Sequence, residues 1–229
     1  MTRFISFEGG DGTGKSTQLK LLADYLSRRG RAPVCTREPG GTNLGKMIRK
    51  VLLEVGDERI FPQTELFLYL ADRAQHVQEV IQPALAAGRI VLCDRFTDST
   101  LAYQGYGRGV DLDRLREMNT IASRGLVPDL TFLLDCPVDV GLARTARRSA
   151  GRAGSREDRF EREQAEFHDR VRRGFRELAA AEPARIRVLD AARAVGDVHE
   201  QIRAVVEAEL ESRLEAESKP APQGGLKGR

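Results

Sequence analysis

Cysteine and histidine are scarce in this chain of 229 residues, three of each, and neither recurs at a spacing that would hold a metal or form a redox pair. Cys35, Cys93 and Cys136 fall in apolar, strand-like runs and read as reduced core residues. His76, His168 and His199 share no motif and read as surface or helix-end residues rather than catalytic ones. No apolar run approaches the ~20 residues that a bilayer span needs, and the N-terminus enters a strand with no signal-like apolar segment ahead of it. Charge of either sign is not in excess: 37 Lys and Arg against 34 Asp and Glu leave a net +3, too little to argue for nucleic acid. There is no internal repeat. What remains is a soluble globular protein with a reduced, cytoplasmic setting as the expectation. Its length suits one domain with a sizeable core.

Against these absences, apolar strand-like runs alternate with helical patterns. Phe4–Glu8, Arg31–Arg37, Arg89–Cys93, Leu130–Leu134 and Arg185–Leu189 read as strands. The intervening segments read as helices: Thr13–Arg29, Asn43–Val55 with Asn43 as N-cap, Pro62–Ala87, Leu112–Ser123, Val138–Ser149, Asp158–Ala181 and Val195 to about Leu214. On the second helix Leu44, Met47, Ile48, Val51 and Leu52 are expected to face inward. Gly105–Gly109 reads as a mobile glycine loop. The alternation predicts an α/β fold, a five-stranded parallel sheet with right-handed crossovers and helices on both faces. One domain is expected over 1–214, and 215–229, lacking periodicity, as a disordered tail.

The most specific signal follows the first strand. Gly9-Gly10-Asp11-Gly12-Thr13-Gly14-Lys15-Ser16-Thr17 has the Walker A form GxxxxGK[ST] in its required strand–loop–helix setting. Such a loop curls its backbone N–H groups around phosphates at a helix N-terminus. Lys15 would reach the outer phosphates and Ser16 would offer its hydroxyl to Mg²⁺. The fold is therefore expected to be the three-layer P-loop NTPase type. Its ligands bind beyond the carboxyl ends of the strands, where Glu38-Pro39, Asp94-Arg95 and Asp135 also stand.

Asp94 follows a buried strand as a Walker-B-like acid would, or simply ends it in a turn. Arg95 and Arg37 are candidates for a second phosphate site, with Arg49 and Arg73 as further helical candidates. Tyr69 and Arg73, four apart, share a helical face that suits a planar base. Seven arginines lie between Arg144 and Arg162, broken by Gly151 and Gly154, which suggests a hinged, cationic lid at about 147–157, the alternative being a solvated face. A GTPase is disfavoured because no NKxD-type motif is present.

The motifs together resemble the bacterial type of the thymidylate kinase family. They are Glu8–Thr17, Thr36-Arg37-Glu38-Pro39-Gly40-Gly41-Thr42, Ala71-Asp72-Arg73-Ala74-Gln75-His76, Asp94-Arg95-Phe96-Thr97-Asp98-Ser99-Thr100, Ala102-Tyr103-Gln104-Gly105, Pro128-Asp129-Leu130 and Asp158-Arg159-Phe160-Glu161. The resemblance implies ATP as phosphoryl donor, Mg²⁺ as cofactor, dTMP as acceptor and a homodimer. It implies that Gly9–Thr17 binds the ATP phosphates and that Lys15, Arg95, Asp94 and a lid arginine, Arg148 or Arg152, act in catalysis. Around dTMP it implies Asp11, Arg37, Glu38, Pro39, Arg49, Tyr69, Arg73, Arg95, Ser99, Thr100, Tyr103 and Gln104, with Arg73 donating to thymine O4. For the metal it implies Ser16, Asp94, Asp11 and Glu161. Two departures stand out: Phe96 ends a DRY-type motif without its hydroxyl, and Gly12 sits where one subtype carries an arginine, so the lid is expected to supply that cation. Other readings are a different nucleotide or nucleoside kinase of this fold, or a nucleotide-binding regulator that does not catalyse.

Overall fold

The computed structural model describes residues 3–53, 60–150 and 163–218. Five parallel strands, β1 (Phe4–Glu8), β2 (Val34–Arg37), β3 (Val91–Asp94), β4 (Leu130–Asp135) and β5 (Ile186–Asp190), lie in the order β2-β3-β1-β4-β5. β1 is central and all five of its residues are buried, as an apolar strand covered on both faces must be. Its alternate residues enter different cores. Ile5 and Phe7 join Leu92 and Phe132 under α1 (Lys15–Arg28) and α9 (Val195–Ser218), where Leu22, Leu26, Ile202 and Val206 close the layer. Phe4 points to the opposite face and meets the Phe96 ring edge-on at 4.9 Å. Each fully buried Phe or Leu of these cores contributes on the order of 1.5–3 kcal/mol.

The remaining helices are α2 (Asn43–Leu53), α3 (Pro62–His76), α4 (Gln82–Ala86), α5 (Thr97–Thr100), α6 (Leu112–Ser123), α7 (Val138–Ala150) and α8 (Ala165–Ala181). α3 passes into α4 through a π-helical turn, Val77–Ile81, and α5 continues into a second one, Leu101–Gly107. β1 pairs with β3 so that Phe7 lies beside Asp94, and the pairing continues past the strand ends: Arg95 N–H donates to Phe7 O and Glu38 N–H to Asp94 O. That registration carries three loops to one rim.

Several expectations need correcting. Cys93 and Cys136 are buried, but Cys35 is exposed, because β2 is an edge strand. His76 is fully buried rather than superficial, and His168 is buried as well. Gly105 and Gly107 are not a mobile loop; they lie buried in the π-helical segment, where a Cβ would come within 2.5 Å of Leu112 and 2.7 Å of Phe167. Thr42, not Asn43, caps α2, since its Oγ1 accepts from the Gly45 N–H. Of the five α2 residues expected to face inward, Ile48 and Leu52 do, while Leu44, Met47 and Val51 are exposed. The first helix starts at Lys15 because Gly14 is left-handed; α8 starts at Ala165, and the expected start at Asp158 lies outside the described residues. α9 runs to Ser218, four residues beyond the expected boundary, and the rest of the predicted tail lies outside the described residues.

Candidate active site

The rim holds a cleft of about 410 Å³. From the glycine-rich loop, Asp11 to Thr17 line it; Gly9 and Gly10 lie beneath, facing a small neighbouring cavity. Gly12 has a positive φ of 74° and packs backbone to backbone on α7: a Cβ there would sit 2.1 Å from the Gly141 carbonyl oxygen. The missing arginine thus has a steric cause. No side chain fits at position 12 without displacing α7.

Lys15 is buried, and its ammonium group donates to the Gly9 carbonyl at 3.1 Å and the Gly10 carbonyl at 2.6 Å. Burial, and then the nearby Arg95 cation, push its pKa down to about 8 despite Asp11, Asp94 and Glu8. The Ser16 hydroxyl donates to Asp94 Oδ2 at 2.5 Å. A hydroxyl and a carboxylate side by side are hard oxygen donors of the kind Mg²⁺ takes alongside nucleotide phosphates, so this pair fits the cation. Asp11 is not part of it: Arg95 Nη2 donates to Oδ1 at 2.7 Å and the Tyr103 hydroxyl to Oδ2 at 3.1 Å. Burial works to raise the Asp11 carboxyl, but Arg95 and Lys15 outweigh it and hold it below its usual value. Among the described residues no group of three or more His, Cys, Asp or Glu could hold a metal alone.

Arg95 is the hub of the other half. Its backbone is left-handed, φ 73°, a conformation that a non-glycine residue keeps only when its surroundings impose it. Nη1 donates to Gly9 O at 3.0 Å and Ser99 Oγ at 3.1 Å, and the guanidinium lies 4.9 Å from the Tyr103 ring centre.

Arg73 is almost wholly buried on α3. It donates from Nε to Glu38 Oε2 at 2.9 Å, from Nη1 to Thr100 and Asn119, and from Nη2 to the Phe96 carbonyl. His76 Nδ1 meets the other Glu38 oxygen at 2.9 Å, and its Nε2 meets Thr36 Oγ1 at 2.6 Å. Phe96 stacks beneath Arg73, its ring centre 5.2 Å from the guanidinium, in a cluster with Phe4, Val77 and Ile81. That apolar packing explains the missing hydroxyl, which would need a partner there.

Arg37, Glu38, Pro39, Arg49, Tyr69, Ser99, Thr100, Tyr103 and Gln104 all line the cleft with these groups. Arg49 donates to the Pro39 carbonyl at 3.0 Å. Gln104 gives its amide N–H to the buried Glu65 at 2.9 Å. Since a carboxylate only accepts, this bond turns the amide oxygen away from Glu65. Asp135 is not available at the rim; Arg172 holds it with two bonds of 2.7 and 3.0 Å. The sequence reading missed Gln18, Leu53 and Leu134, which also line the cleft, and a strip of lining after β5: Ala191, Arg193, Val195 and Val198. Gln18 bonds the Val195 carbonyl, and Arg144 of α7 bonds the Ala191 carbonyl at 2.8 Å. No motif announces this strip; only its position after β5, at a strand carboxyl end, could have drawn attention to it. The Arg148 side chain, Arg152, Glu161 and most of the predicted lid lie outside the described residues.

This arrangement recurs elsewhere. The thymidylate kinase family profile matches residues 7–202. The chain belongs to the thymidylate kinase family. A thymidylate kinase of Desulfovibrio desulfuricans is 56% identical over 212 residues, 92% of this chain and 97% of the relative. That of Geotalea uraniireducens is 51% identical over 207 residues, 90% of this chain and 97% of the relative. The crystal structure of the thymidylate kinase from Ehrlichia chaffeensis superposes with a TM-score of 0.71 at 36% identity, covering 90% of this chain and 98% of that one. A thymidylate kinase with the P-loop fold is thus what the sheet order and the glycine loop build. Among its described residues, no helix is long and apolar enough to cross a membrane.

Proposed function

We propose that this thymidylate kinase transfers the γ-phosphoryl group of ATP to dTMP, giving ADP and dTDP, by in-line displacement within the cleft. The observation that carries the reading is the convergence in one cleft of a phosphate-binding loop with Lys15 and a second cationic centre at Arg95. Two polyanions repel each other as they approach, and cations on both sides reduce that repulsion. The acceptor is already an anion, so no strong general base is required and catalysis is positioning with charge neutralisation.

In this reading the N–H groups of Asp11–Thr17 hold the ATP phosphates and Lys15 leaves the Gly9 and Gly10 carbonyls for the outer phosphates. The strip after β5, with Arg144 beside it, takes the donor's nucleoside. Ser16 and Asp94 hold Mg²⁺, which when bound neutralises phosphate charge. Arg95 binds the dTMP phosphate with Arg37 and Arg49 near, and the incoming anion competes with Asp11 for the Arg95 fork. Tyr69 and Arg73 face the base. The Thr100 hydroxyl, neutral and free to rotate, is the Arg73 partner that thymine O4 displaces. Gln104, its nitrogen committed to Glu65, offers an oxygen to the thymine N3–H. This donor–acceptor pattern suits thymine and uracil and clashes with cytosine.

An ADP-release assay across dTMP, dUMP, dCMP and dGMP tests the assignment. dTMP should be the best acceptor, dUMP worse by about 1–3 kcal/mol for its missing methyl, and dCMP and dGMP inactive. Phosphorylation of dCMP at a rate near that of dTMP would remove the roles given to Arg73 and Gln104.

A homodimer fits one surface. Leu44, Met47 and Val51, which are 46%, 68% and 56% exposed, form an apolar stripe at i, i+3, i+7 on α2, supporting a contact with a second copy. Sedimentation should give a dimer for the native protein and a shift toward monomer for Met47→Lys.

A further inference from the structure

Glu8 ends β1 and is 1% exposed, yet the mechanism above does not use it. One of its oxygens, Oε1, accepts the Phe96 N–H at 2.7 Å. The other, Oε2, accepts the Ser99 hydroxyl at 2.6 Å. These two donors flank Arg95, and the Ser99 oxygen in turn accepts from Arg95 Nη1 at 3.1 Å. With its proton turned to Glu8, Ser99 presents a lone pair to the guanidinium.

We propose that Glu8 is a positioning residue for Arg95: it fixes the left-handed turn after β3 and, through Ser99, the direction of the guanidinium fork. The proposal rests on the reading of Arg95 as the dTMP phosphate ligand. A non-glycine residue at positive φ lies about 1–3 kcal/mol above a relaxed backbone and persists only where neighbours over-determine it. Three clamps do so here. Glu8 holds the Phe96 N–H, Arg73 holds the Phe96 carbonyl at 3.0 Å, and Arg185 holds Asp98 with bonds of 2.8 and 2.9 Å. Only the Glu8 clamp also reaches the Arg95 side chain. The carboxylate is placed for this by strand alternation: Phe4, Ser6 and Glu8 share the sheet face on which α5 lies, whereas Ile5 and Phe7 face α1.

The test is steady-state kinetics on Glu8→Ala, Glu8→Gln, Ser99→Ala and Arg95→Ala, with Glu8→Ala also built on the Arg95→Ala background. Losing a hydrogen bond that orients a charged group corresponds to about 10–100-fold. Glu8→Ala should lower kcat/KM for dTMP by that factor while KM for ATP stays within about twofold. Glu8→Gln keeps an oxygen for the Phe96 N–H and should recover most of the loss. Ser99→Ala cuts only the side-chain relay and should show a smaller loss of the same kind, which keeps the proposal testable if Glu8→Ala fails to fold. On the Arg95→Ala background, Glu8→Ala should add less than about twofold, because residues acting through one another are not additive. A Ser99→Ala enzyme with native kinetics, or full additivity of Glu8→Ala with Arg95→Ala, overturns the proposal and leaves the Arg95 reading standing. An Arg95→Ala enzyme with native kcat/KM for dTMP overturns both.

Discussion

The Lys15→Ala protein folds, melts no lower than the native chain, and transfers the phosphoryl group at least about 10²–10³-fold more slowly, the range seen when one preorganised cation or donor is removed. The first half of that expectation comes from the unliganded geometry. Lys15 is buried, its direct partners among the described residues are two carbonyl oxygens, and burial has pushed its pKa down from 10.5 to about 8. A lowered folded-state pKa means that between about 8 and 10.5 the folded form has released a proton that the unfolded form still holds. Stability therefore rises with pH across that window, and below it the Lys15 charge works against folding. Alanine removes that opposition together with the packing of the stem. The second half follows from where the ammonium goes when phosphates arrive. Thermal melts of both proteins from pH 7 to 10.5, beside turnover assays, check the two halves separately. Native kcat with unchanged ATP affinity would end the assignment of Lys15, and a large fall in melting temperature would mean that it is structural.

Alanine at one of the lid arginines lowers kcat by about 10³-fold with little change in either KM, the mark of a contact made in the transition state. The reason begins at Gly12. Because a Cβ there would lie 2.1 Å from the Gly141 carbonyl oxygen, position 12 of the phosphate loop cannot bear a side chain that meets charge developing between donor and acceptor. In the proposed reading Lys15 serves the donor phosphates and Arg95 the acceptor. A further cation has to come from elsewhere, and α7 leads straight into the arginine-rich stretch from Arg147. Arg144, one turn earlier on α7, already lines the cleft, so the helix approaches from the donor side. Arg148 and Arg152 are the two candidates. Single alanine variants at Arg147, Arg148, Arg152 and Arg156, and the combined variant, decide the matter. If all keep kcat within a few-fold of native, the stretch is a solvated charged loop. Lysine at the responsive position should rescue poorly, for want of the planar fork.

Much of this was legible in the chain because the signals were local. A glycine-rich turn between a buried strand and a helix has few other uses, and the strand-end residues Glu38, Asp94 and Arg95 reach one rim simply because parallel strands end on one side. What could not be read were properties that depend on what packs opposite. Cys35 resembles Cys93 in sequence, but one lies on an edge strand and the other on an interior strand of the sheet. Gly105 and Gly107 look like loop residues until the side chains of Leu112 and Phe167 are placed against them. His76 shares its helix with Arg73 and faces the same carboxylate, Glu38, contributed from a distant loop. The strip after β5 carries no motif, since much of its contribution is main-chain carbonyl and main chain leaves no signature in residue types.

With Arg95 as the proposed acceptor ligand, its pairing with Asp11 gives that site a threshold. Before any nucleotide arrives, the fork is already satisfied by a carboxylate 2.7 Å away, reinforced by the Tyr103 hydroxyl. A visiting anion does not fall into a waiting positive charge; it has to evict a resident one. Small anions bring nothing beyond their charge to that exchange and gain little from it. A nucleotide brings a base that, in the proposed reading, settles near Tyr69 and Arg73, and that second attachment supplies the difference. The built-in occupant thus weakens every anion alike and leaves the ranking to the base, so that discrimination in the cleft starts with a residue that never touches the base at all.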